Sequence, residues 1–500
     1  MKEKIVELKK LLNEIADLQA ASNVLGWDQQ VNMPNGAAED RGEQIATLER
    51  IIHIKATSDE LGRLLDELSQ ISEQFDNEDD DARLIKVAKR KFDKSTKVPS
   101  EFVTEFARVS AVAQSVWEKA KLESNFALFQ PYLKKLVDLR RQYAEYFKPW
   151  QHVYDPLIDD FEPGMKTADV QEIFGKIKPQ QVALIKKIDE KPAINRDFLF
   201  LNFPENDQRT FGYEVITKFG YDWDHGRLDK SAHPFTTSFG LNDVRITTRF
   251  NETYMPAAIF GSMHECGHAL YELGVDKKFN RTPLGDGASM AIHESQSRMW
   301  ENMIGRSLPF WKCFYPRLQQ LFPSQLGNVD VTHFYQAVNA VESSLIRVEA
   351  DEATYNLHIM LRLEMEIALM EGSIRVEDAP GAWNEKFAEY LGITPPNDGK
   401  GILQDVHWAF GGFGYFPTYA LGNLVSAQIW DSMEKDIPAR EEQIEKGQFA
   451  EILGWLRERV HVHGAKYEPQ ELVKKITGSP IDPDPYVRYL EKKFGEIYHL

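Results

Sequence analysis

The pentapeptide HECGH at residues 264–268 carries the clearest chemistry in the sequence. In an α-helix, positions four apart share one face and lie about 6 Å apart along the axis. The imidazoles of His264 and His268 therefore converge on one side, where both can bind a single zinc ion. Glu265 points to a neighbouring part of the helix surface, from which its carboxylate can take the proton of a water molecule that the metal polarises. The pattern predicts hydrolysis of a carbonyl compound, and peptide bonds are the usual substrate of such sites.

A catalytic zinc ion needs a third protein ligand and one open position. Glu294 stands 26 residues after His268, at the start of a second predicted helix, and is the expected third ligand. His293 competes for that role, although a helix turns it about 100° away from Glu294. Sites of the thermolysin type place an acidic residue four positions after the ligand glutamate, but Arg298 stands there in this sequence. The groups that orient the two histidines must therefore come from elsewhere.

The elements that position these residues are a hairpin and a set of helices. Residues 235–239 and 244–250 are rich in β-branched and aromatic side chains and are joined by Gly-Leu-Asn-Asp at 240–243, which predicts a β-hairpin directly before the metal helix. Apolar residues recur at three- and four-residue steps through most of the first 150 residues, which predicts helices there. After the hairpin, helices are expected at about 257–273, 289–305 and 331–371, among others. The expected fold is mainly α-helical with one small sheet.

Composition limits the class of protein. The chain has 500 residues, 42% of them hydrophobic, and a formal net charge of −18, so it can bury a large core but offers no basic block for nucleic acid or for an anionic membrane. Only two cysteines are present, which excludes a disulfide framework and favours a reducing cytoplasm. No signal peptide and no transmembrane segment are expected.

Three further clusters complete the pattern: DVRIT at 243–247, IRVEAD at 346–351 and GILQDVHW at 401–408, the last followed by an aromatic segment at 413–419. Each has a simpler interpretation when it is taken alone. Arg347, expected on a long helix, could form a surface ion-pair set with Glu349 and Asp351, and His407 could be a core histidine with its hydrogen bonds satisfied.

HECGH, HESQ at 293–296 and these clusters occur in the order and near the spacings of the carboxypeptidase Taq family of metallocarboxypeptidases. The sequence resembles that family over its whole length. The resemblance implies a helical fold similar to neurolysin and angiotensin-converting enzyme, with a deep groove roofed by N-terminal helices. It implies one domain over residues 1–500, comprising a lid part (1–150), the hairpin (230–255) and a catalytic core (256–430). It also implies a homodimer that releases single C-terminal residues from peptides with broad preference, using zinc or, in some members, cobalt.

The resemblance also assigns roles to residues. It makes His264, His268 and Glu294 the metal ligands, Glu265 the general base and Arg347 the anchor for the substrate's terminal carboxylate. The other expected substrate or catalytic contacts are His233, Arg245, Gln404, His407, Tyr415 and Tyr419. His407 and Tyr419 are expected near the substrate and the oxyanion, and Tyr415 competes with Tyr419 for the second place.

Two other functions remain open at this point. An oligopeptidase or a dipeptidyl carboxypeptidase of similar fold would use the same metal chemistry but release different products. A helical interaction protein with a structural zinc is the alternative outside the enzymes, and the presence of Glu265 speaks against it because a structural site has no use for a base.

Overall fold

A computed structural model describes residues 2–72, 76 and 78–500 of the chain, and helices make up most of this part. The N-terminal helices are α1 (Lys2–Val31), α2 (Ala38–Ala56), α3 (Asp59–Ser72), α4 (Asp80–Lys97), α5 (Ser100–Leu122) and α6 (Phe126–Glu145). Apolar stripes are expected at about 38–55, 58–74, 82–94, 100–122 and 126–147, and α2 to α6 follow them to within a few residues, although residues 73–74 lie outside the described part. The first helix, α1, extends well beyond its expected stripe from Ile5 to Leu18.

Helices α1, α3 and α4, called the roof helices below, share a small core of their own. Leucines on the three helices pack together, and this core also takes in Leu241 from the hairpin turn and Phe279 from the segment that follows the metal helix. The roof is therefore fixed to the β-hairpin and to residues 275–284 by apolar contacts, on one side of the site described below.

The middle of the chain forms α7 (Asp155–Asp159), α8 (Thr167–Asp189) and α9 (Glu205–Phe219), followed by a sheet of β1 (Leu228–Lys230), β2 (Thr236–Ser238) and β3 (Val244–Thr248). The predicted hairpin is confirmed, since β2 pairs antiparallel with β3 and Thr236 lies opposite Ile246. The sequence did not indicate β1, which pairs in parallel with the other side of β3. Strand β3 is thus central and β2 is an edge strand.

The remaining helices build the large core. They are α10 (Pro256–Gly274), α11 (Met290–Arg298), α12 (Leu308–Leu321), α13 (Pro323–Leu326), α14 (Val331–Val338), α15 (Tyr355–Glu371), α16 (Ala379–Leu391), α17 (Pro417–Asp436), α18 (Arg440–Glu445), α19 (Ala450–Arg459), α20 (Pro469–Thr477) and α21 (Asp484–Tyr498). A π-helical segment, Met299–Ile304, continues α11. In the described part of the chain, no helix is long and apolar enough to span a bilayer.

One element differs from the expectation in a way that affects the site. The long helix expected at 331–371 is interrupted by residues 339–354, and Arg347 lies on a short 3₁₀ turn (Arg347–Glu349) within this loop. The Asp351 carboxylate accepts hydrogen bonds from the backbone N–H groups of Ala353 and Thr354, so it satisfies donors just before α15 begins. Asp351 therefore serves the backbone, and the surface ion-pair set that it might have formed with Arg347 is absent from the described residues.

Candidate metal centre and substrate groove

The two histidines of HECGH lie on one face of α10, as the spacing predicts. The helix begins at Pro256, whose missing N–H costs nothing at a first helical position. The ring centroids of His264 and His268 are 5.0 Å apart and the rings are nearly perpendicular.

Glu294 completes a cluster with these histidines. Its Oε2 atom lies 3.7 Å from Nε2 of His264 and 3.6 Å from Nε2 of His268. The three ligand atoms all lie within 4.8 Å of one another, so they can surround a single ion. Two imidazole nitrogens and one carboxylate oxygen are a donor set typical of catalytic zinc with an open fourth position. The residues present therefore fit a divalent metal ion.

Two glycines allow the helices of the cluster to approach closely. A Cβ atom on Gly267 would lie 2.6 Å from the Cα atom of Ser297, where α10 crosses α11. A Cβ atom on Gly422, in α17, would lie 2.5 Å from Cβ of Glu294. Because real side chains do not approach so closely, both positions require glycine to bring Glu294 to the histidines.

The groups that orient the metal-site histidines are Glu301 and His293. Nδ1 of His264 lies 2.9 Å from Oε2 of Glu301, which belongs to the π-helical segment. Nδ1 of His268 lies 3.3 Å from Nδ1 of His293. His293 is therefore placed behind His268 instead of in the ligand cluster. Arg298 donates a 2.6 Å hydrogen bond from Nε to Oε1 of Glu294 and so holds that carboxylate from the outer side.

Glu265 lies beside the cluster and is held by the hairpin. The hydroxyl of Thr236, on edge strand β2, donates to Oε2 of Glu265 over 2.7 Å. Burial raises the pKa of the Glu265 carboxyl, and the neighbouring His264 and Thr236 oppose that shift. A buried carboxylate with one fixed hydrogen bond and a free second oxygen is suited to receive a proton.

Arg347 is buried, with 5% of its surface exposed, and it lies against an acidic partner. Its Nε and Nη2 atoms donate to Oδ1 of Asp405 over 3.0 and 2.8 Å, and Nη1 donates to the hydroxyl of Tyr355 over 2.9 Å. Burial alone would raise the pKa of Asp405, but Arg362 and Arg347 outweigh it and keep that pKa far below its usual range. The pair is therefore ionised, and two of the five N–H donors of Arg347 are left for another acceptor.

Gln404 supports this arrangement from behind. Its Oε1 atom accepts from the backbone N–H of Arg347 over 2.9 Å and from Nη2 of Arg362 over 2.7 Å. Its Nε2 atom donates to the carbonyl oxygens of Leu345 and Gly401. The side-chain amide predicted to contact substrate is thus occupied by the protein's own groups, and it fixes the backbone that carries Arg347.

The aromatic segment places His407, Tyr415 and Tyr419 together. The Tyr419 hydroxyl lies 3.4 Å from Nε2 of His407, and the rings of Tyr415 and Tyr419 are 5.2 Å apart in an edge-to-face contact. Burial lowers the pKa of His407 to about 4, so this histidine is neutral at neutral pH. Burial raises the pKa of Tyr415 to about 12, with a contribution from Glu294, so its hydroxyl keeps its proton.

The other two predicted contacts lie on the hairpin side. Arg245 forms a two-bond ion pair with Asp243, and its guanidinium lies 4.5 Å from the ring centre of Trp27 on roof helix α1. His233 is exposed at the entrance to β2. Arg245 therefore links the hairpin to the roof, while His233 lies at the surface.

A groove with a cavity of about 870 Å³ runs between the roof helices and the edge of β2. Thr236, Thr237 and Ser238 line its floor, His293 and Ser289 line its inner end, and α1 and α4 cover it. Its lining includes neither the ligand cluster nor Arg347 and Tyr419; it comes nearest to the cluster at Thr236, which holds Glu265, and at His293, which contacts His268. The groove therefore lies on the hairpin side of the site, and the Arg347–Asp405 ion pair is not part of its lining.

The family of the chain follows from a comparison with known proteins. The chain matches the family model for the carboxypeptidase Taq (M32) metallopeptidases over residues 7–494. The chain belongs to this family. It is therefore a hydrolase that acts on peptide bonds, and the family resemblance and the mainly helical fold predicted from the sequence are confirmed.

This metallopeptidase is similar to its relatives over nearly their full lengths. It is 40% identical to carboxypeptidase 1 of Bacillus subtilis, covering 99% of this chain and 98% of that protein. It is also 40% identical to thermostable carboxypeptidase 1 of Thermus thermophilus, covering 98% of each chain. The crystal structure of the M32 carboxypeptidase from Deinococcus radiodurans superposes with a TM-score of 0.97 at 40% identity, covering 100% of both chains.

Several residues that contact the site of this metallopeptidase were not predicted from the sequence. Glu301 follows Glu294 by seven positions, two helical turns, and that spacing on a common face was the available signal. Thr236 and Asp405 belong to motifs that the sequence showed. Their partners, Glu265 and Arg347, do not follow from spacing alone. Gly422 carried no signal, since its role depends on how α17 packs against α11.

Proposed function

We propose that the protein is a zinc-dependent carboxypeptidase that hydrolyses the last bond of peptides with a free C-terminal carboxylate and releases single residues with broad preference. The observation that carries the proposal is the convergence of His264, His268 and Glu294, with Glu265 directly beside them. A base next to an open metal position is the requirement of hydrolysis, and a structural zinc site has no use for it.

The chain's own residues supply the proton transfers. A bound divalent ion would act as a Lewis acid toward the scissile carbonyl and toward the attacking water. Glu265 takes the proton of that water while Thr236 holds its carboxylate in place, and it later delivers the proton to the leaving amine. Tyr415 or Tyr419 donates a hydrogen bond to the oxygen on which negative charge develops.

Arg347 is the proposed anchor of the terminal carboxylate. A guanidinium presents parallel N–H donors that match a carboxylate, and Arg347 has two donors left after its bonds to Asp405 and Tyr355. Asp405, which also pairs with Arg362, holds the guanidinium in a fixed orientation. In this proposal His233, Arg245, Gln404 and His407 support substrate binding from the hairpin and from the loop around the anchor.

The edge of β2 is suited to the preceding residues of the peptide. The backbone groups of Phe235 and Phe239 bond to β3, so those of Thr236 and Ser238 point outward to the groove. An extended peptide can bind along this edge as an added strand. The Nδ2 atom of Asn23 in α1 already donates to the carbonyl of Ser238 over 3.1 Å, so the edge is open mainly near Thr236.

Several finer points belong to the same proposal. Zinc is the proposed metal and cobalt an alternative, since the same donor set binds both. The two cysteines are unpaired, which supports a reducing cytoplasm. We propose one metallopeptidase domain over residues 1–500 and a homodimer, which light scattering on the purified protein tests; its substrates are peptides and not nucleic acids or membranes.

Product analysis tests the function. An N-terminally blocked peptide is digested with the zinc-loaded protein, and the products are followed by mass spectrometry. The proposal expects the loss of one residue at a time from the C-terminus, abolished by a chelator that leaves the fold intact. Release of dipeptides or internal fragments would instead indicate a dipeptidyl carboxypeptidase or an oligopeptidase. Absence of all cleavage by the metal-loaded protein would favour a non-catalytic zinc protein.

A further inference from the structure

The two histidines of the proposed metal site have different supports. Behind His264 stands a carboxylate, that of Glu301, at 2.9 Å. Behind His268 stands another imidazole, that of His293, at 3.3 Å between the two Nδ1 atoms. His293 in turn lies with Nε2 3.0 Å from Oε1 of Glu272, which is four residues after His268 on α10. His268 is thus also connected to a carboxylate, that of Glu272, but through the imidazole of His293.

The direction of each hydrogen bond in this chain follows from the ligand atom. Nε2 of His268 faces Glu294 and must carry a lone pair to bind an ion, so the proton of the neutral ring is on Nδ1. That proton can be donated to His293 only if Nδ1 of His293 has none. The proton of His293 is then on Nε2, where the carboxylate of Glu272 accepts it. All three side chains then have compatible proton positions, and the backbone of His293 is a second hydrogen-bond partner for the His268 ring.

The surroundings of His293 keep its ring in this position. A Cβ atom on Gly287 would lie 2.3 Å from Cδ2 of His293, so the loop backbone is in direct contact with the ring. The ring centre of Tyr271 lies 4.8 Å from that of His293, and the Tyr271 hydroxyl accepts from the backbone N–H of Ala288. Helix α10 and the loop before α11 therefore hold the imidazole between them.

We propose that Glu272 and His293 form an outer hydrogen-bond chain that fixes the tautomer and orientation of His268 and thereby raises the affinity of the site for its metal ion. His293 and Glu272 are positioning residues in this proposal, because neither reaches the cluster of ligand atoms. The inference rests on the proposed metal site. Partners of this kind generally change metal affinity by about 10- to 100-fold when they are removed.

Metal affinity measured directly, by competition with a chromophoric chelator for Zn²⁺, tests the proposal. His293→Ala is expected to weaken Zn²⁺ binding about 10- to 100-fold. Glu272→Gln keeps an acceptor oxygen for Nε2 of His293 but removes its charge, so a measurable but smaller loss of affinity is expected. His293→Asn keeps an acceptor oxygen at the place of Nδ1 but cannot reach Glu272, so its affinity is expected between those of the wild type and His293→Ala. The melting temperature of the metal-free protein is expected to change little in Glu272→Gln, which remains informative if His293→Ala does not fold.

The matched control is Glu371→Gln. Glu371 lies 2.8 Å from Nε2 of His152 in another histidine–carboxylate pair, outside the site. It is expected to leave Zn²⁺ affinity unchanged. Wild-type affinity in both Glu272→Gln and His293→Ala would refute the role of the outer hydrogen-bond chain. Two zinc ions per wild-type chain would also refute it. Neither result would affect the proposed function. A wild-type chain that binds no divalent ion would instead refute the proposed function itself.

Discussion

The hydroxyl of Thr236 donates a 2.7 Å hydrogen bond to Oε2 of Glu265, and this contact joins the edge strand to the proposed base. In the proposed mechanism the β-hairpin therefore has two roles, because it also offers an edge to the peptide. Strand β2, which lines the groove, also holds the carboxylate of Glu265. The proposed positions of the substrate and of the base would thus be set by the same three-residue strand.

Thr236→Val removes this hydrogen bond while keeping the shape of the side chain. A hydrogen bond to a charged group contributes about 1.5–3 kcal/mol, so kcat/KM is expected to fall about 10- to 100-fold with metal content unchanged. Steady-state kinetics on a blocked dipeptide measure the effect. Thr210→Val is the control, because that hydroxyl donates only to a backbone carbonyl on the exposed face of α9. Equal activity of Thr236→Val and wild type would show that the contact does not serve the base.

Gly422→Ala tests the packing that brings Glu294 to the histidines. The new Cβ atom meets Cβ and Cγ of Glu294 at 2.5 and 2.6 Å, and overpacking of this kind costs about 1–3 kcal/mol. If this free energy displaces Glu294 from the histidines, zinc affinity is expected to fall roughly 5- to 150-fold. Gly454→Ala, where no atom lies within 4 Å of the added methyl group, is the control. Unchanged zinc affinity in Gly422→Ala would mean that α11 shifts without cost.

Many residues of this site could be predicted from the sequence, but others could not. Glu265 is an example of the first kind and Gly422 of the second. The periodicity of a helix places His264, His268 and Glu265 relative to one another, so their arrangement follows from local spacing. The mainly helical fold follows from apolar stripes in the same way. Gly422 and Asp405 act through contacts between distant elements, which spacing does not encode. The interruption at 339–354 was missed because the apolar pattern continues across it.

Glu162 predicts a pH dependence of stability. It is fully buried, its Oε1 atom accepts from the backbone N–H of Ala291 over 2.5 Å, and burial raises its pKa from about 4.5 to about 8. The folded state therefore binds a proton that the unfolded state releases between these pH values, and the free energy of unfolding falls as the pH rises through this window. Glu162→Gln mimics the protonated acid and removes this contribution.

Thermal unfolding of metal-free protein from pH 5 to 9 checks this prediction. The melting temperature of Glu162→Gln relative to wild type is expected to rise with pH up to about pH 8 and then to level off. A constant difference between the two proteins over that range would show that Glu162 is ionised throughout.

Arg347→Ala tests the carboxylate anchor. Loss of a charge-assisted pair of hydrogen bonds is expected to lower kcat/KM for free-acid peptides about 10- to 100-fold, and with it the preference for free acids over C-terminal amides. Arg347→Lys keeps the charge without the fork and is expected to restore part of that preference. Asp405 keeps its partner Arg362 in both variants, which limits damage to the fold. An unchanged preference in Arg347→Ala would assign the anchor to another residue.

In the proposed mechanism Glu265 is the base beside an ion held by His264, His268 and Glu294. Glu265→Gln tests it most directly when metal content and turnover are measured on the same sample. The variant is expected to bind one metal ion per chain, as the wild type does, with kcat lower by about 10²- to 10⁴-fold, the usual contribution of a general base. Wild-type turnover in a Glu265→Gln protein that retains its metal would show that Glu265 is not the base.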